Sequence, residues 1–524
     1  MIDRRKRAAF SPREQRLLDS LQAASPRYYA LIGALLAVIL WGLIAYGVQL
    51  RYGLGVTGLR DYFMWGVYIT NFIFFIGVSH VGALMSAILR LTGAEWRRPI
   101  TRMAEAITFA SLLMGALMPL VDMGRPDRLL NLVLHGRLQS PILWDIMSIT
   151  TYLTGSTLFL YVPMIPDIAL LRDYYAQGPA WRRRLYTVLA LGWRGTEAQR
   201  RHLETIIGVL AVLIIPVAIS VHTVVSWILA MTLRAGWNST IFGPYFVSGA
   251  LFSGAAAVIT AMAAFRWAYH LEEYITVRHF KRMGYLVIAL GLIYAYFTFN
   301  EYWTPLYKLA RPERGYLAAV LSGAYAPLFW FTQIGGLVVP VLLLTLPTIS
   351  WIPRLRDVPL LQPRPALVTA AAALGMLVFV SLSGPQAALG DLAAARAVLP
   401  GALAAAALWL FVTLLPYLRE RPITTAVVAS LLVNIGAWLK RFVIIVPTLQ
   451  HPFLPIQRAP DLWAVYRPTW VEWSITAAAL AGFALIYILF SKLFPIVSIW
   501  ETREAHAAEG QAPAGGEVAH APAP

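Results

Sequence analysis

The sequence predicts an all-α integral membrane protein with about ten to twelve transmembrane helices. Hydrophobic residues make up 59% of the 524 residues and charged residues only 13%, and the apolar residues fall in long runs. The chain has no cysteine, which excludes disulfides, thiolate-ligated iron–sulfur clusters and covalently attached c-type haem. In such a chain a net charge of +17 indicates basic loops at a membrane surface and not binding to nucleic acid.

Ten runs are long and apolar enough to cross about 30 Å of hydrocarbon. They cover residues 29–49, 63–90, 102–121, 141–166, 206–233, 245–271, 283–303, 318–347, 422–447 and 474–496. Two weaker, alanine-rich runs at 365–383 and 398–418 raise the number to twelve. The charged residues between these runs predict which ends of the helices face the cytoplasm.

Basic residues concentrate before the first run and after the second, fourth, sixth and eighth runs, which lie on one side if the runs alternate across the membrane. Because basic loops stay on the cytoplasmic side, both termini are predicted to be cytoplasmic, in the cell membrane. The loop 122–140 then lies on the outer side. Residues 1–28 are too charged to form a signal peptide.

Two familiar motifs carry little weight here. The run Gly53 to Gly58 matches the G-x-G-x-x-G dinucleotide fingerprint, but it lies between two membrane helices without a βαβ unit and is interpreted as a turn. Of the nine histidines, only His80 and His222 lie well inside apolar runs. A single b-type haem held by these two is a competing interpretation, although a buried histidine is more often hydrogen-bonded or part of a proton relay.

The loop 122–140 and its borders hold the densest polar chemistry. Gly124 and Pro126 end the third helix at Asp122, while Ser140 and Pro141 are a natural N-cap and first residue for the fourth. Asp145 then lies one turn inside that helix, near the outer surface.

Asp122, Arg125, His135 and Asp145 could therefore converge where hydrocarbon meets water. Quinol oxidation needs such a place, because the ring arrives from the lipid and its two protons must be accepted as the electrons leave. A nearby guanidinium would tune the carboxylate pKa. A purely structural interfacial turn explains the same residues equally well.

Other polar residues could extend such a site. Glu301 at the outer end of the seventh run and Arg441 toward the outer end of the ninth could reach an outer pocket or extend to the interface. A candidate proton path across the membrane consists of His80, Glu105, Asp167 and His222. The alternative is that these four are unrelated residues satisfied by hydrogen bonds.

Several segments resemble the NrfD/polysulfide-reductase-type membrane subunits. The resemblance rests first on 118–126 (MPLVDMGRP) and 140–145 (SPILWD). Four further segments resemble more specifically the larger such subunit, ActC, of bacterial alternative complex III, a quinol:electron acceptor oxidoreductase. They are 79–89 (SHVGALMSAIL), 220–226 (SVHTVVS), 242–250 (FGPYFVSGA) and 441–445 (RFVII).

The resemblance implies two four-helix bundles flanked by peripheral helices, and no haem, metal or iron–sulfur cluster bound by this chain. It implies that quinol, in particular menaquinol, is oxidised near the periplasmic face by a site containing Asp122 and Asp145, with Arg441 in the second bundle. Electrons would pass to an extracytoplasmic iron–sulfur, molybdopterin-like subunit and on to a multihaem cytochrome c. A second NrfD-like membrane subunit and membrane lipid would complete the complex, with proton translocation as a further expectation.

The chain departs from these relatives at two positions. Relatives often have histidine where Asp122 stands, so His135 is an alternative imidazole, and they often have glutamate where Lys440 stands. The resemblance covers roughly residues 60–350 and 422–496 and does not extend to 351–421.

The predicted organisation combines the apolar runs with this resemblance. It comprises a basic N-terminal segment (1–28), a peripheral helix and outer loop (29–62), the first bundle (63–233), three helices of the second bundle (234–350), an insertion with a helical hairpin (351–421), the last bundle helix (422–447), an outer loop with a C-terminal peripheral helix (448–500), and a disordered tail (501–524).

Two other functions are compatible with these features. A quinone-reactive anchor of a hydrogenase, or of a polysulfide-, nitrite- or dimethyl-sulfoxide-type reductase, would use the same family with electron flow in the other direction. A solute transporter would also have many spans, but transporters tend to have paired broken helices at the midplane, whereas the polar cluster here lies at one face.

Overall fold

The computed structural model describes residues 11–22, 25–61, 63–345, 348, 418, 420–451 and 465–503. Within these residues the protein is helical, and its only extended pairing is one isolated bridge between Arg60 and Phe63. The insertion 351–421 lies almost wholly outside the described residues. All of 1–10, the segment 452–464 and the tail beyond 503 also lie outside them.

Helices in the described ranges follow the apolar runs closely. They are α1 (Pro12–Gln22), α2 (Pro26–Tyr52), α3 (Val67–Leu91), α4 (Arg98–Asp122), α5 (Leu129–Leu134), α6 (Pro141–Tyr161), α7 (Ile165–Tyr174), α8 (Ala180–Leu189), α9 (Glu197–Ala230), α10 (Phe242–Tyr269), α11 (Val277–Lys308), α12 (Arg311–Leu321), α13 (Ala326–Trp330), α14 (Val339–Thr345), α15 (Pro422–Gln450) and α16 (Trp470–Leu493).

Ten spans of this described part are long and apolar enough to cross a membrane, which confirms the all-α membrane fold and the ten stronger runs. Helix boundaries follow local signals. Thr196 and Thr469 form capping boxes with Gln199 and Glu472, which satisfy the first backbone N–H groups of α9 and α16. Ser140 occupies the N-cap of α6 as expected, but its side chain makes no capping hydrogen bond.

The eighth span differs from its prediction. The sequence predicts one helix over 318–347, but α12 ends at Leu321 and the span begins again at Ala326. A π-helical segment, Phe331–Val338, separates α13 from α14. At its centre Gly336 packs directly on Gly436 of α15, where a Cβ on Gly336 would lie 2.7 Å from the Gly436 Cα atom. Only glycine permits this backbone approach.

Two groups of four spans form the body of the protein. Helices α3, α4, α6 and α9 pack on one another, and α10, α11, the α13–α14 span and α15 form the second group. Helices α3 and α10 make the main contact between the groups, while α2 and α16 pack together at the edge against α4. The end of the body that carries the loop 122–140 is called the loop face below, and the other end the opposite face.

Candidate functional site

Two buried carboxylates lie at the loop face. Helix α4 ends at Asp122 because Gly124, with φ 47°, turns the chain, and α6 begins at Pro141 so that Asp145 falls within its first two turns. Asp145 is only 8% exposed. The Oδ1 atoms of Asp122 and Asp145 are both buried and have no hydrogen-bond partner among the described residues. Such orphaned oxygens are costly in a folded protein unless a water, a proton or a ligand satisfies them.

A buried polar network adjoins Asp122. Gln49 of α2 donates from Nε2 to the Val121 carbonyl (2.7 Å) and accepts from the Tyr68 hydroxyl (2.6 Å). Glu472 of α16 is fully buried and close enough to repel a charge on Asp122. The network therefore connects the end of α4 to both peripheral helices.

Glu472 is held by donors from three directions. It accepts hydrogen bonds from the backbone N–H groups of Gly58 (2.7 Å) and Thr469 (2.9 Å) and from the Tyr466 hydroxyl. Burial, and then the charge of Glu472, raises the pKa of Tyr466, so that this hydroxyl stays protonated. The candidate site residues predicted from sequence did not include Glu472, although Thr469-x-x-Glu472 before an apolar run is a capping-box signal.

Arg125 and His135 do not reach the buried carboxylates. Arg125 forms a bidentate pair with Asp127, with Nε–Oδ1 and Nη2–Oδ2 distances of 3.0 and 2.9 Å, in which both side chains are more than half exposed. Its hydrogen bonds lower the pKa of Asp127. His135 is exposed at the end of α5. The expectation that all four residues converge is therefore wrong for these two.

A second buried cluster lies in the second bundle. The Lys440 ammonium donates to the Tyr302 hydroxyl (2.5 Å) and lies over the Tyr302 ring, 4.3 Å from its centroid. Glu301, on the preceding residue of α11, accepts a hydrogen bond from the Ser239 hydroxyl (2.7 Å) and attracts the Lys440 charge. Glu301 is buried, with only 9% of its surface exposed.

Arg441 is buried beside this cluster and is anchored mainly by backbone. Its guanidinium donates to the carbonyls of Ala437 (2.8 Å) and Gly249 (3.4 Å) and to the Ser253 hydroxyl (3.3 Å). A small cavity of about 20 Å³ lies next to it, lined by His222, Tyr245, Phe246, Gly249, Tyr294, Lys440, Arg441 and Ile444. This volume is sufficient for about one water molecule.

The two intramembrane histidines are neighbours. The rings of His80 and His222 have centroids 4.5 Å apart, across the contact between α3 and α9. The His80 ring nitrogens face the carbonyls of Ile76 (2.5 Å) and Ala218 (2.8 Å). Both His222 nitrogens are buried without a hydrogen-bond partner in the described structure. His80, His222, Arg441 and Lys440 therefore form a continuous series of polar groups around the cavity.

Glu105 and Asp167 lie away from this series, toward the opposite face. Asp167 forms a buried ion pair with Arg102 (2.6 Å) and accepts from the backbone N–H groups of Ile499 (3.1 Å) and Trp500 (2.9 Å). Glu105 accepts a hydrogen bond from the Ser86 hydroxyl (2.6 Å). The four residues of the predicted path thus divide into a histidine pair and two separately satisfied carboxylates.

The chain matches the family model "Polysulphide reductase, NrfD" over residues 55–358. It belongs to the NrfD family. This match includes the loop 122–140, both buried aspartates and the histidine pair. It ends before α15, which supplies Lys440 and Arg441.

Among its relatives is a candidate membrane subunit of a dimethyl sulfoxide reductase of Halobacterium salinarum, 30% identical over 43% of this chain and 48% of that protein. A subunit of the selenate reductase of Mesobacillus selenatarsenatis is 25% identical over 61% of this chain and 75% of its own length. The integral membrane subunit of a menaquinone reductase of Nitratidesulfovibrio vulgaris is 34% identical over 24% of this chain and 30% of that protein. The chain thus spans about half the length of the halobacterial relative.

Proposed function

We propose that this protein is the quinone-reactive membrane subunit of an oxidoreductase complex, and that it oxidises quinol near the loop face. The observation that carries the proposal is the pair of buried, unpartnered carboxylate oxygens on Asp122 and Asp145. Membership of the NrfD family and the names of the relatives, which include a menaquinone reductase and a selenate reductase, support a role in such a complex.

The proposed chemistry is the conversion of quinol to quinone with release of two protons and two electrons. Asp145 accepts one hydroxyl proton from a quinol that enters from the lipid, and its partner Asp122 accepts the other. The adjoining network of Gln49, Tyr68 and Glu472 holds the end of α4 in place. The exposed His135 would act only after the proton has left the buried site.

The electrons leave toward the loop face in this proposal. Leu130, Val133 and Leu134 of α5 and the following Leu138 are all exposed apolar side chains. An extracytoplasmic iron–sulfur subunit of the molybdopterin type that covers this surface would stand over the two aspartates and pass electrons to a multihaem cytochrome c. A second NrfD-like membrane subunit would complete an assembly like alternative complex III, with menaquinol as the substrate.

A proton path through both groups of helices would couple this reaction to translocation. We propose that His80, His222, the small cavity with Arg441, and the Lys440–Glu301 pair carry protons from one side to the other, since each group neighbours the next. Glu105 and Asp167 would belong to the path only at its far end. Their present partners, Ser86 and Arg102, also give them a structural role.

The alternative function is that of a quinone-reactive anchor that serves a different catalytic partner, such as a reductase. In that role the protein would reduce quinone or oxidise quinol. The names of the relatives favour it, since they include both a menaquinone reductase subunit and a menaquinol oxidoreductase subunit. The same carboxylates would then donate protons to quinone in the reverse direction, by microscopic reversibility.

The test is the turnover of the purified complex with a water-soluble quinol, measured as reduction of its haem or iron–sulfur centres. Asparagine keeps the shape of aspartate but cannot take the proton, so Asp145→Asn should slow electron transfer by about 100- to 10,000-fold. Asp122→Asn should slow it as well. The matched control is Asp127→Asn, an exposed carboxylate in the same loop, which should leave turnover unchanged.

Normal rates in both Asp145→Asn and Asp122→Asn, with intact assembly, would place the quinone elsewhere. The direction of electron flow needs a second experiment. Menaquinone is added to the complex after its haem or iron–sulfur centres have been reduced, and re-oxidation of those centres is followed. If the complex reduces quinone but does not oxidise quinol at a comparable driving force, the reductase-anchor function replaces the first proposal.

The orientation needs a separate test. We propose that the loop face is extracytoplasmic and that both termini are cytoplasmic, because the basic loops lie at the other end. The native chain contains no cysteine, so a single cysteine introduced at Leu134 is the only thiol that a reagent can label. An impermeant thiol reagent should label it in intact cells, whereas a cysteine at exposed Thr187 should be labelled only after lysis. The reverse pattern would invert the proposed topology.

A further inference from the structure

One sizeable cavity of the described structure has no part in the proposed quinone chemistry. It has a volume of about 390 Å³ and lies at the opposite face, between α7, the first turns of α9, the loop 193–195 and the C-terminal residues Trp500 and Arg503. This is within the range of small-molecule sites, which hold about 300–1,000 Å³.

Four arginines dominate the charge of this cavity. Its lining contains Arg172, Arg194, Arg200 and Arg503, against two acids, Asp173 and Glu204. Arg172 donates hydrogen bonds to Asp173 and to the Trp193 carbonyl (3.0 Å). Arg503 forms an ion pair with Glu14. The cavity thus carries excess positive charge.

Arg194 and Arg200 are the arginines of this lining whose side chains have no partner among the described residues. Neither guanidinium makes an ion pair or a side-chain hydrogen bond within the described residues, and both line the cavity. The loop amides beside them are already used, since Gln199 accepts from the backbone N–H groups of Arg194 (2.9 Å) and Gly195 (3.1 Å). A bound anion would therefore be held by the guanidinium groups, whose planar donor sets match phosphate oxygens.

The rest of the lining is apolar and aromatic. Leu170, Leu203 and Pro166 form the walls, and Trp193 and Trp500 complete them. Tryptophan is enriched where hydrocarbon meets the headgroups. An anion with an apolar body fits these walls better than a small soluble ion does.

The neighbouring helix α8 locates the cavity at the membrane surface. Its exposed apolar side chains Trp181 and Val188 are seven residues apart on one side, while Arg183 is exposed on the other. Helices of this pattern lie in the plane of the interface, with the apolar side chains among the lipids. The cavity therefore opens at the depth of lipid phosphates.

We propose that this cavity binds the phosphodiester of an anionic phospholipid, with Arg194 and Arg200 on the phosphate and the acyl ends along Leu170 and Leu203. Basic pockets between helices at one membrane face recognise such headgroups. A free phosphate ion shares this chemistry, so the two sources must be separated by experiment. The site is independent of the proposed quinone reaction.

The experiment measures lipid retained by the purified full-length protein in its complex. After exchange into nanodiscs of phosphatidylcholine with increasing phosphatidylglycerol, bound lipid is counted by native mass spectrometry. Wild type should retain phosphatidylglycerol in preference to phosphatidylcholine. The double variant Arg194→Gln/Arg200→Gln should weaken this binding by about tenfold or more, since each loses charge-assisted hydrogen bonds.

The matched control removes two charges from the adjacent helix: Arg183→Gln/Arg184→Gln should keep the retained lipid. An equal loss in that control would show general surface attraction and overturn the proposal. Inorganic phosphate is added in a second arm. If it displaces the phosphatidylglycerol at millimolar concentration, the cavity is a soluble-anion site, which also overturns it. As a check independent of charge, Leu203→Trp, which fills the cavity, should reduce retention with assembly intact.

Discussion

Asp145 and Asp167 lie at the two ends of one continuous span, Pro141–Tyr174, and both are nearly inaccessible to solvent. Asp167 is only 1% exposed and receives an arginine and two backbone N–H groups, whereas the Oδ1 atom of Asp145 receives no donor within the described chain. The two aspartates are therefore alike in burial and differ in the hydrogen-bond donors that surround them. We infer that hydrogen-bond partners, more than depth, separate a structural carboxylate such as Asp167 from a proposed proton acceptor such as Asp145.

The same contrast orders the carboxylate–arginine pairs of the protein. The side chains of Arg102 and Asp167 are 4% and 1% exposed, those of Arg503 and Glu14 are 41% and 14% exposed, and those of Arg125 and Asp127 are 65% and 60% exposed. Because solvent screens charge, the energetic consequence of breaking each pair should fall in that order.

The largest stability effect is expected at Asp167. In Asp167→Asn an NH2 group, which cannot accept a hydrogen bond, replaces one of the oxygens that accept from Arg102, Ile499 and Trp500. Arg102 then keeps a buried charge without a counterion. Breaking a buried pair in this way costs about 3–5 kcal/mol. Heating the detergent-solubilised protein and following the monodisperse fraction by size-exclusion chromatography should show a lowered transition temperature.

Asp145→Asn is the matched variant, because its Oδ1 atom has no partner to lose. It should keep the wild-type transition temperature while losing turnover. A stable Asp167→Asn protein, or an unstable Asp145→Asn protein, would remove the distinction drawn between the two aspartates.

Much of this architecture could be predicted from the sequence. The ten stronger spans follow from hydropathy alone, and Gly124 and Pro141 correctly predicted where α4 ends and α6 begins. These signals are local, because a membrane helix satisfies its own backbone and needs no distant partner.

Contacts between distant segments could not be predicted in this way. Arg102 and Asp167 are 65 residues apart, and Gly58 donates to a glutamate 414 residues away. Lys440 stands beside Arg441 in the sequence, yet its ammonium lies under the ring of Tyr302 on another helix. Arg125 was expected near the buried carboxylates, but it pairs with Asp127, two residues along the chain. A pair between such close neighbours costs little entropy to form.

The smallest effect with a measurable sign is expected at Glu14, whose partner Arg503 belongs to the other end of the chain. Burial alone would raise the pKa of Glu14, but hydrogen bonds from Arg503 and from the Ser11 backbone N–H (2.8 Å) outweigh it and lower the pKa. A lowered pKa in the folded state means that ionised Glu14 stabilises the contact between α1 and the C-terminal segment. That contribution is complete above the ordinary pKa of 4.5 and is lost as pH falls through the lowered value.

Glu14→Gln should therefore destabilise the docking of α1 by at most about 1 kcal/mol at pH 7, the scale of solvent-screened pairs. The difference from wild type should vanish under acid conditions, because protonated Glu14 and glutamine are then alike in charge. Hydrogen exchange of the α1 amides at pH 7 and at pH 3 compares the two conditions, and the difference from wild type should be smaller at pH 3. Asp127→Asn, in the exposed loop pair, should leave α1 exchange unchanged at either pH. A Glu14→Gln difference that persists undiminished at pH 3 would mean that packing of α1, and not its charge, holds the two ends of the chain together.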